Sequence, residues 1–502
     1  MNLDFSSSAR PRGLLRSGAL RTAWPWLAAP GLLAATVLER RLVPANTDVA
    51  WLLTAAEKWW GGASLYGEVL ETNPPIAVLT YLPAVLLGRA LGVPPEAVVD
   101  ALVLLGVLAS LALCVRLLAG TGLVRPGQGA PLLLVAGAVL LLLPARSFGQ
   151  REHIALLALL PMLALGLRRI AGAPVARWMA VAAGLGAGAT LCFKPHFALA
   201  VACAPLLTAW QRRDWRGLLA PEGWIAVAVA AVAASLTVLL LPGYLGTVVP
   251  LVREVYLQLP RPWTDLLTGG PVTLAAAALV AAWVLPGAAR RDAPLQLLML
   301  TSLAFAVAFL VQRKGWAYQA YPMLALALLA LAASAIRSAA DAAARGRVLA
   351  GAGLFAVVFA AAGLIFNASF ETGDLEARLR PLAPRPRLLA LSGEPGLGHP
   401  LVRALHGEWV SRQQALWVHD YAELLRPGAS PEARRVLDRH EAQERAGLLD
   451  DIRRRPPDLV LVDDLTGQWS AVLASDADLA ALLSGYRPAF TLNRVTVLQR
   501  PR

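Results

Sequence analysis

Residues 146–153, RSFGQREH, crowd Arg146, Gln150, Arg151, Glu152 and His153 into eight positions. Two guanidinium groups suit a bidentate grip on a phosphate. A neighbouring Glu152 or His153 suits taking up a proton or orienting a hydroxyl. Three further clusters have the same character. NTDVAW (46–51) places Asp48 in the first turn of a helix that Asn46 or Thr47 can cap, where the helix dipole favours a carboxylate. KPH (194–196) sets Lys194 and His196 around a proline, and QRKGWAY (312–318) sets Arg313, Lys314, Trp316 and Tyr318 at the head of an apolar run. Carboxylates beside fixed cations point to a reaction in which a hydroxyl is activated and an anionic group is held. Each cluster also has a plain structural reading. Asp48 can be a helix-start charge, Arg151 and Glu152 a staple, Lys194 a snorkelling side chain, and the Trp and Tyr residues an interfacial belt.

The elements that must carry these clusters are apolar. The chain has 502 residues, of which 57% are hydrophobic and 16% charged. Runs long enough to cross a bilayer core of about 30 Å recur along it. They lack the dyad alternation of outer-membrane barrel strands. The expected fold class is mainly α: a polytopic helical membrane protein of about eleven spans. The spans fall near 22–39, 97–118, 131–147, 153–170, 178–193, 197–211, 222–242, 271–288, 293–311, 316–336 and 348–366. The basic start of the chain lacks a cleavage site after its apolar run, which reads as a retained first span.

With the N-terminus in the cytoplasm, the inside segments collect the arginines: Arg10, Arg12, Arg16 and Arg21, then Arg116 and Arg125, Arg168, Arg169 and Arg177, Arg212, Arg213 and Arg216, Arg290 and Arg291, and Arg337, Arg345 and Arg347. This obeys the positive-inside rule. Segment 73–92, NPPIAVLTYLPAVLLGRALG, is apolar enough to span. Crossing there would turn every later arginine loop outward, so it is expected as an outer juxtamembrane or re-entrant helix broken by Pro74, Pro75 and Pro83. All the polar clusters, and REVY (253–256) in the longest loop, then share the outer face.

After about residue 370 the apolar runs shorten and charge rises. PRLLALSG (386–393) and PDLVLVDD (457–464) read as buried strands, 430–455 as an amphipathic helix and 488–500 as a hairpin. The expected organisation is a transmembrane domain over 1–370, with an outer juxtamembrane segment over 46–92, and an extracytoplasmic α/β domain over 371–502. An odd number of spans puts that domain on the side of the polar clusters. The net charge of +13 fits topology and anionic lipid better than nucleic acid. Cys114, Cys192 and Cys203 form no CxxC site, no metal-ligand motif is present, and SGEPGLG (392–398) lacks the GK[ST] of a P-loop.

An Asp just outside the first span, an NPP juxtamembrane segment and a second polar outer loop opening a span resemble the GT-C superfamily of membrane glycosyltransferases. The likeness is to the protein O-mannosyltransferases and lipid A aminoarabinose transferases, the family 39-like branch, and covers about residues 20–335. It implies a polyprenyl-phosphate sugar as donor, and a glycan, lipid or protein as acceptor. It implies an active site on the extracytoplasmic face of a bacterial inner membrane. By the same resemblance Asp48 is the catalytic base or acceptor-orienting group. Glu152 and His153 stand where relatives often place a second acid. Arg146, Gln150, Arg151, Lys194, His196, Arg313, Lys314, Trp316 and Tyr318 are the substrate-binding set. No cofactor is certain from the resemblance, and a divalent metal stays open. The competing readings are a transporter or flippase of a lipid-linked or anionic substrate, and a scaffold whose tail binds a partner.

Overall fold

The computed structural model describes residues 14–285, 292–339, 344–370 and 372–501. Arg10, Arg12, Arg290 and Arg291 of the topology argument lie outside the described residues. The apolar runs fold as helices: α1 Leu14–Leu42, α2 Thr47–Trp60, α3 Ile76–Leu91, α4 Pro95–Leu118, α5 Gly129–Leu141, α6 Arg151–Ile170, α7 Arg177–Phe193, α8 Ala198–Arg212, α9 Pro221–Leu240, α10 Val249–Glu254, α11 Trp263–Leu267, α12 Gly270–Val284, α13 Ala293–Gln312, α14 Tyr321–Ser338 and α15 Arg345–Asn367. Among the described residues, six segments are long and apolar enough to cross a membrane: α4, α6, α13, α15, and the segments holding α9 and α14. α3, α5, α7 and α12 are shorter apolar helices.

Two elements depart from simple spans for local reasons. Segment 73–92 becomes the 16-residue α3, about 24 Å long and short of the bilayer core. The run 131–147 holds its helix only to Leu141, because Pro144 and the left-handed Ala145 (φ 46°) turn the chain.

α14 runs through the middle of the bundle, buried on nearly every side, against α5, α12, α13 and α15. The ends of the bundle differ chemically. At one end, Arg168 donates to Leu117 and Ala119 carbonyls, Arg169 grips Glu222 with two hydrogen bonds (2.6 and 2.8 Å), and Arg337 pairs with Asp292. These are fasteners between helix ends. The other end gathers the polar clusters and carries the C-terminal region.

That region holds a five-stranded sheet in the order β2-β1-β3-β5-β4. β1 (Arg387–Leu391), β2 (Glu408–Trp409) and β3 (Leu459–Asp463) run parallel, while β4 (Arg487–Leu492) and β5 (Val495–Gln499) form the antiparallel hairpin. β1 and β3 read as unbroken apolar runs because both of their faces are covered. The helix Pro431–Arg454 starts at Ser430, whose hydroxyl accepts from Ala433 N–H. His399 is fully buried, its ring set between Trp51 and Trp409, and so serves packing.

The α/β region docks on α2 through polar staples. Lys58 Nζ donates to Ser411 O at 2.6 Å, and Leu70 N–H donates to Arg412 O at 2.7 Å. Arg403, largely buried, forks onto Glu57 (2.8 and 3.0 Å) and also pairs with Glu96. Removing it strands two partly exposed carboxylates. Arg403→Ala is therefore expected to weaken the docking by about 2 kcal/mol, discounted for their solvent access. Limited proteolysis of the intact protein checks this: cleavage between 371 and 386 should accelerate in the variant, and an unchanged rate contradicts it.

Candidate active site

The turn at 146–153 is built around Gly149. Its φ of 75° is a left-handed conformation that an L side chain rarely takes, and a Cβ there would press on Val99 at 3.1 Å. Its carbonyl accepts from Tyr81 Oη at 2.8 Å. Its N–H donates to His153 Nδ1 at 3.1 Å, so His153 carries its proton on Nε2 and donates to Leu140 O at 2.9 Å. Fully buried between Phe148 and Tyr321, His153 has both ring nitrogens committed. This corrects the expectation that it handles a substrate proton: it ties the turn to the C-terminal end of α5. Arg40, at the end of α1, braces the same turn by donating to Ala145 O at 2.7 Å and covering the Phe148 ring. Arg146 lies half-buried in the 3-10 turn 145–147.

From that turn α6 projects its first residues into a polar cluster. Gln150 caps the helix through its side-chain oxygen, and its amide donates to Asn46 Oδ1 (2.5 Å) and Asp48 Oδ2 (3.2 Å). Arg151, its side chain 5% exposed, pairs with the same Asp48 Oδ2 at 3.3 Å. Asn46 in turn caps α2 by accepting from Asp48 N–H at 2.8 Å, which fixes where the carboxylate starts. One turn of geometry thus holds Asp48 from three sides. A fourth contact comes from the α/β region: Gln414 Nε2 lies 3.4 Å from Asp48 Oδ1.

A second acid–base pair adjoins the first. Glu152, 1% exposed, meets Lys194 Nζ at 2.6 Å, at the end of α7. Lys194 also donates to Gln312 Oε1 at 2.8 Å and faces the Tyr318 ring at 5.9 Å. Burial pulls the Lys194 ammonium down from its ordinary value, and Glu152 acts in the opposite direction. Glu152 Oε2 has no hydrogen-bond partner among the described residues, nor has His196 Nε2. Burial, with Lys194 adding to it, pulls His196 down to about 4, so it is neutral at pH 7. Asp48, Arg151, Glu152 and Tyr318 all lie within electrostatic reach of one another.

Arg313, Lys314 and Trp316 are placed differently from the expectation. Arg313 closes α13 in a left-handed conformation, donates to Arg261 O at 2.9 Å and stacks on Trp263. Lys314 donates to the carbonyls of Tyr256 and Leu259 and sits 3.9 Å above the Tyr256 ring. Trp316 Nε1 donates to Tyr256 Oη at 3.0 Å. All three hold the 256–263 loop in this structure, and Arg313 Nε has no hydrogen-bond partner among the described residues. The loop is clamped from the α/β region too, by Trp417 and Tyr421 around Tyr256, and by Arg439 and His440 on Glu254 (2.8 and 2.9 Å).

Three side chains at the cluster escaped the sequence reading. Gln312 opens the QRKGWAY cluster but is passed over for its charged neighbours, and Gln414 is neutral and lies in no motif. Glu71, 2% exposed, accepts from Trp51 Nε1 and from Asn73 N–H at 2.7 Å. An acid just before Asn-Pro-Pro was the available signal. No group of three His, Cys, Asp or Glu suited to a metal ion occurs among the described residues, and Asp48 and Glu152 already face cations.

Two cavities bear on where a donor could sit. An apolar groove of about 400 Å³ runs between α3, α4, α6 and α7, lined by Tyr81, Val99, Val103, Ile154, Leu157 and Ala158. Ile154 and Ala158 continue the α6 stripe on which Arg151 lies. A polar cleft of about 540 Å³ opens between α2 and the α/β region, near Lys58, Arg403 and Arg455.

The helical bundle and the C-terminal α/β region together make a mainly helical fold that solved structures share. In particular, the structure is similar to the crystal structure of ArnT from Cupriavidus metallidurans in the apo state. The TM-score is 0.55 at 15% identity, over 95% of this chain and 98% of that one. It is equally similar to ArnT bound to undecaprenyl phosphate, with TM-score 0.55, 14% identity and the same coverage. No family model matches the sequence, and no curated protein matches it significantly.

Proposed function

We propose that the chain is a glycosyltransferase that moves a sugar from a polyprenyl-phosphate donor to an acceptor hydroxyl at the extracytoplasmic face of a bacterial inner membrane. In this reading the N-terminus is cytoplasmic and the α/β region periplasmic. The observation that carries the proposal is the head of α6. Two cations, Arg151 and Lys194, stand beside two carboxylates, at the top of an apolar groove on the Arg151 stripe of the helix. The groove suits an isoprenoid chain, the cations a phosphate, and the carboxylates an acceptor hydroxyl. Similarity to a structure holding undecaprenyl phosphate supports a polyprenyl-phosphate partner. The gathering of polar groups at one end of the bundle, instead of midway along it, disfavours transport.

The reaction follows from these placements. The acceptor oxygen attacks the anomeric carbon while its proton passes to the Asp48 carboxylate. The bond from that carbon to the phosphate oxygen breaks, and its electron pair leaves with the phosphate. Arg151 and Lys194 stabilise the charge that grows on the departing polyprenyl phosphate. A single displacement inverts the sugar carbon. The acceptor is a glycan, a lipid or a protein.

The test presents purified protein in nanodiscs with a panel of radiolabelled polyprenyl-phosphate sugars, with nucleotide sugars in parallel. Consumption of one lipid-linked donor and of no nucleotide sugar is expected. Consumption of a nucleotide sugar alone contradicts the proposal.

A further inference from the structure

Resting on the proposed donor, we propose that the lipid phosphate is admitted by ion exchange. It takes Lys194 from Glu152 and Arg151 from Asp48, so the carboxylates are released only once the donor is in place, and donor binding precedes acceptor activation.

Three observations carry this. First, the two cations suited to a phosphate are both paired with carboxylates: Arg151 with Asp48 at 3.3 Å and Lys194 with Glu152 at 2.6 Å. An entering phosphate can first meet the Arg151 Nε–H, which has no hydrogen-bond partner among the described residues, and then competes with both acids for the two cations. Second, the pairings are unequal to the groups' capacity. Glu152 is 1% exposed, yet its Oε2 lacks a hydrogen-bond partner among the described residues. A buried carboxylate oxygen without a donor is costly, and a sugar or acceptor hydroxyl would satisfy it. Third, neutral partners are in place to hold Lys194 and Asp48 through the exchange. Gln312 retains Lys194, while Gln150 and Gln414 retain Asp48. Before the donor arrives, Asp48 and Glu152 are charge-compensated and poorly placed to activate water. After it arrives they face the sugar as free carboxylates.

A sign follows that a merely structural pair does not share. Removing an acid should strengthen phosphate binding, because the competitor for the cation is gone. With undecaprenyl phosphate as the probe, Glu152→Gln is expected to bind about tenfold more tightly than wild type, and Asp48→Asn several-fold more tightly. Undecaprenol, which fills the groove without a phosphate, should bind all three alike. Lys194→Met and Arg151→Ala should lose at least tenfold toward undecaprenyl phosphate. If both acid variants bind undecaprenyl phosphate no better than wild type while undecaprenol binding is kept, the exchange is overturned. If one fails to fold, the other decides. If Lys194→Met and Arg151→Ala bind undecaprenyl phosphate like wild type, the phosphate site itself is wrong, a failure of the underlying reading that is distinct from failure of the exchange alone.

Discussion

Asp48→Asn is expected to lower sugar transfer by about a thousandfold while the protein remains folded. The size is that of losing a positioned general base. Asn is nearly isosteric, and its side-chain oxygen can still accept from Gln150. The cap from Asn46 to the backbone of residue 48 is untouched. What disappears is the charge that accepts the acceptor's proton. Single-turnover transfer, measured with bound donor in excess of its dissociation constant, isolates the chemical step. A variant that transfers within threefold of wild type removes Asp48 from the mechanism.

Lys194→Met carries the second large effect, on stability as well as on rate. Glu152 is buried, and Lys194 is the one cation paired to it among the described residues. Truncating one partner of such a pair costs about 3–5 kcal/mol, because the other charge is left uncompensated. The same change removes a cation from the departing phosphate, worth about 100- to 1000-fold in rate. The two effects separate in a double variant. Lys194→Met with Glu152→Gln should recover most of the lost thermal stability, measured in nanodiscs, and none of the lost activity. If Lys194→Met melts like wild type and transfers normally, the lysine is only snorkelling at the end of α7.

Much of this site was legible in the sequence because its charges are expensive where they stand. Arg151, Glu152 and Lys194 interrupt apolar helices at their ends, and ionisable groups at a bilayer edge need a reason. Asp48 was legible as a first-turn acid behind a capping Asn46. The membrane fold followed from the length and spacing of apolar runs. The run 131–147 read too long because hydrophobicity cannot register a left-handed Ala145 before the next helix.

What escaped depended on tertiary contact. His153 shares its neighbours' polarity, and only the turn at Gly149 shows that both its nitrogens are used within the protein. Lys314 looked like an unpaired outer cation until folding brought the Tyr256 and Leu259 carbonyls to it. Gln414 is 366 residues away from Asp48 in the chain, and no local pattern joins them. The neutral amides Gln312 and Gln414 orient charged groups without announcing themselves by charge.

The central claim is that the head of α6 is where a lipid-linked phosphate meets fixed cations. The most direct measurement is an experimental structure of the protein saturated with undecaprenyl phosphate. The account predicts phosphate density within ion-pairing distance of both Arg151 and Lys194, with the isoprenoid chain descending along Val99, Leu157 and Ala158. Phosphate density in the cleft by Lys58, Arg403 and Arg455, with the Arg151–Asp48 and Lys194–Glu152 pairs unchanged, would contradict it.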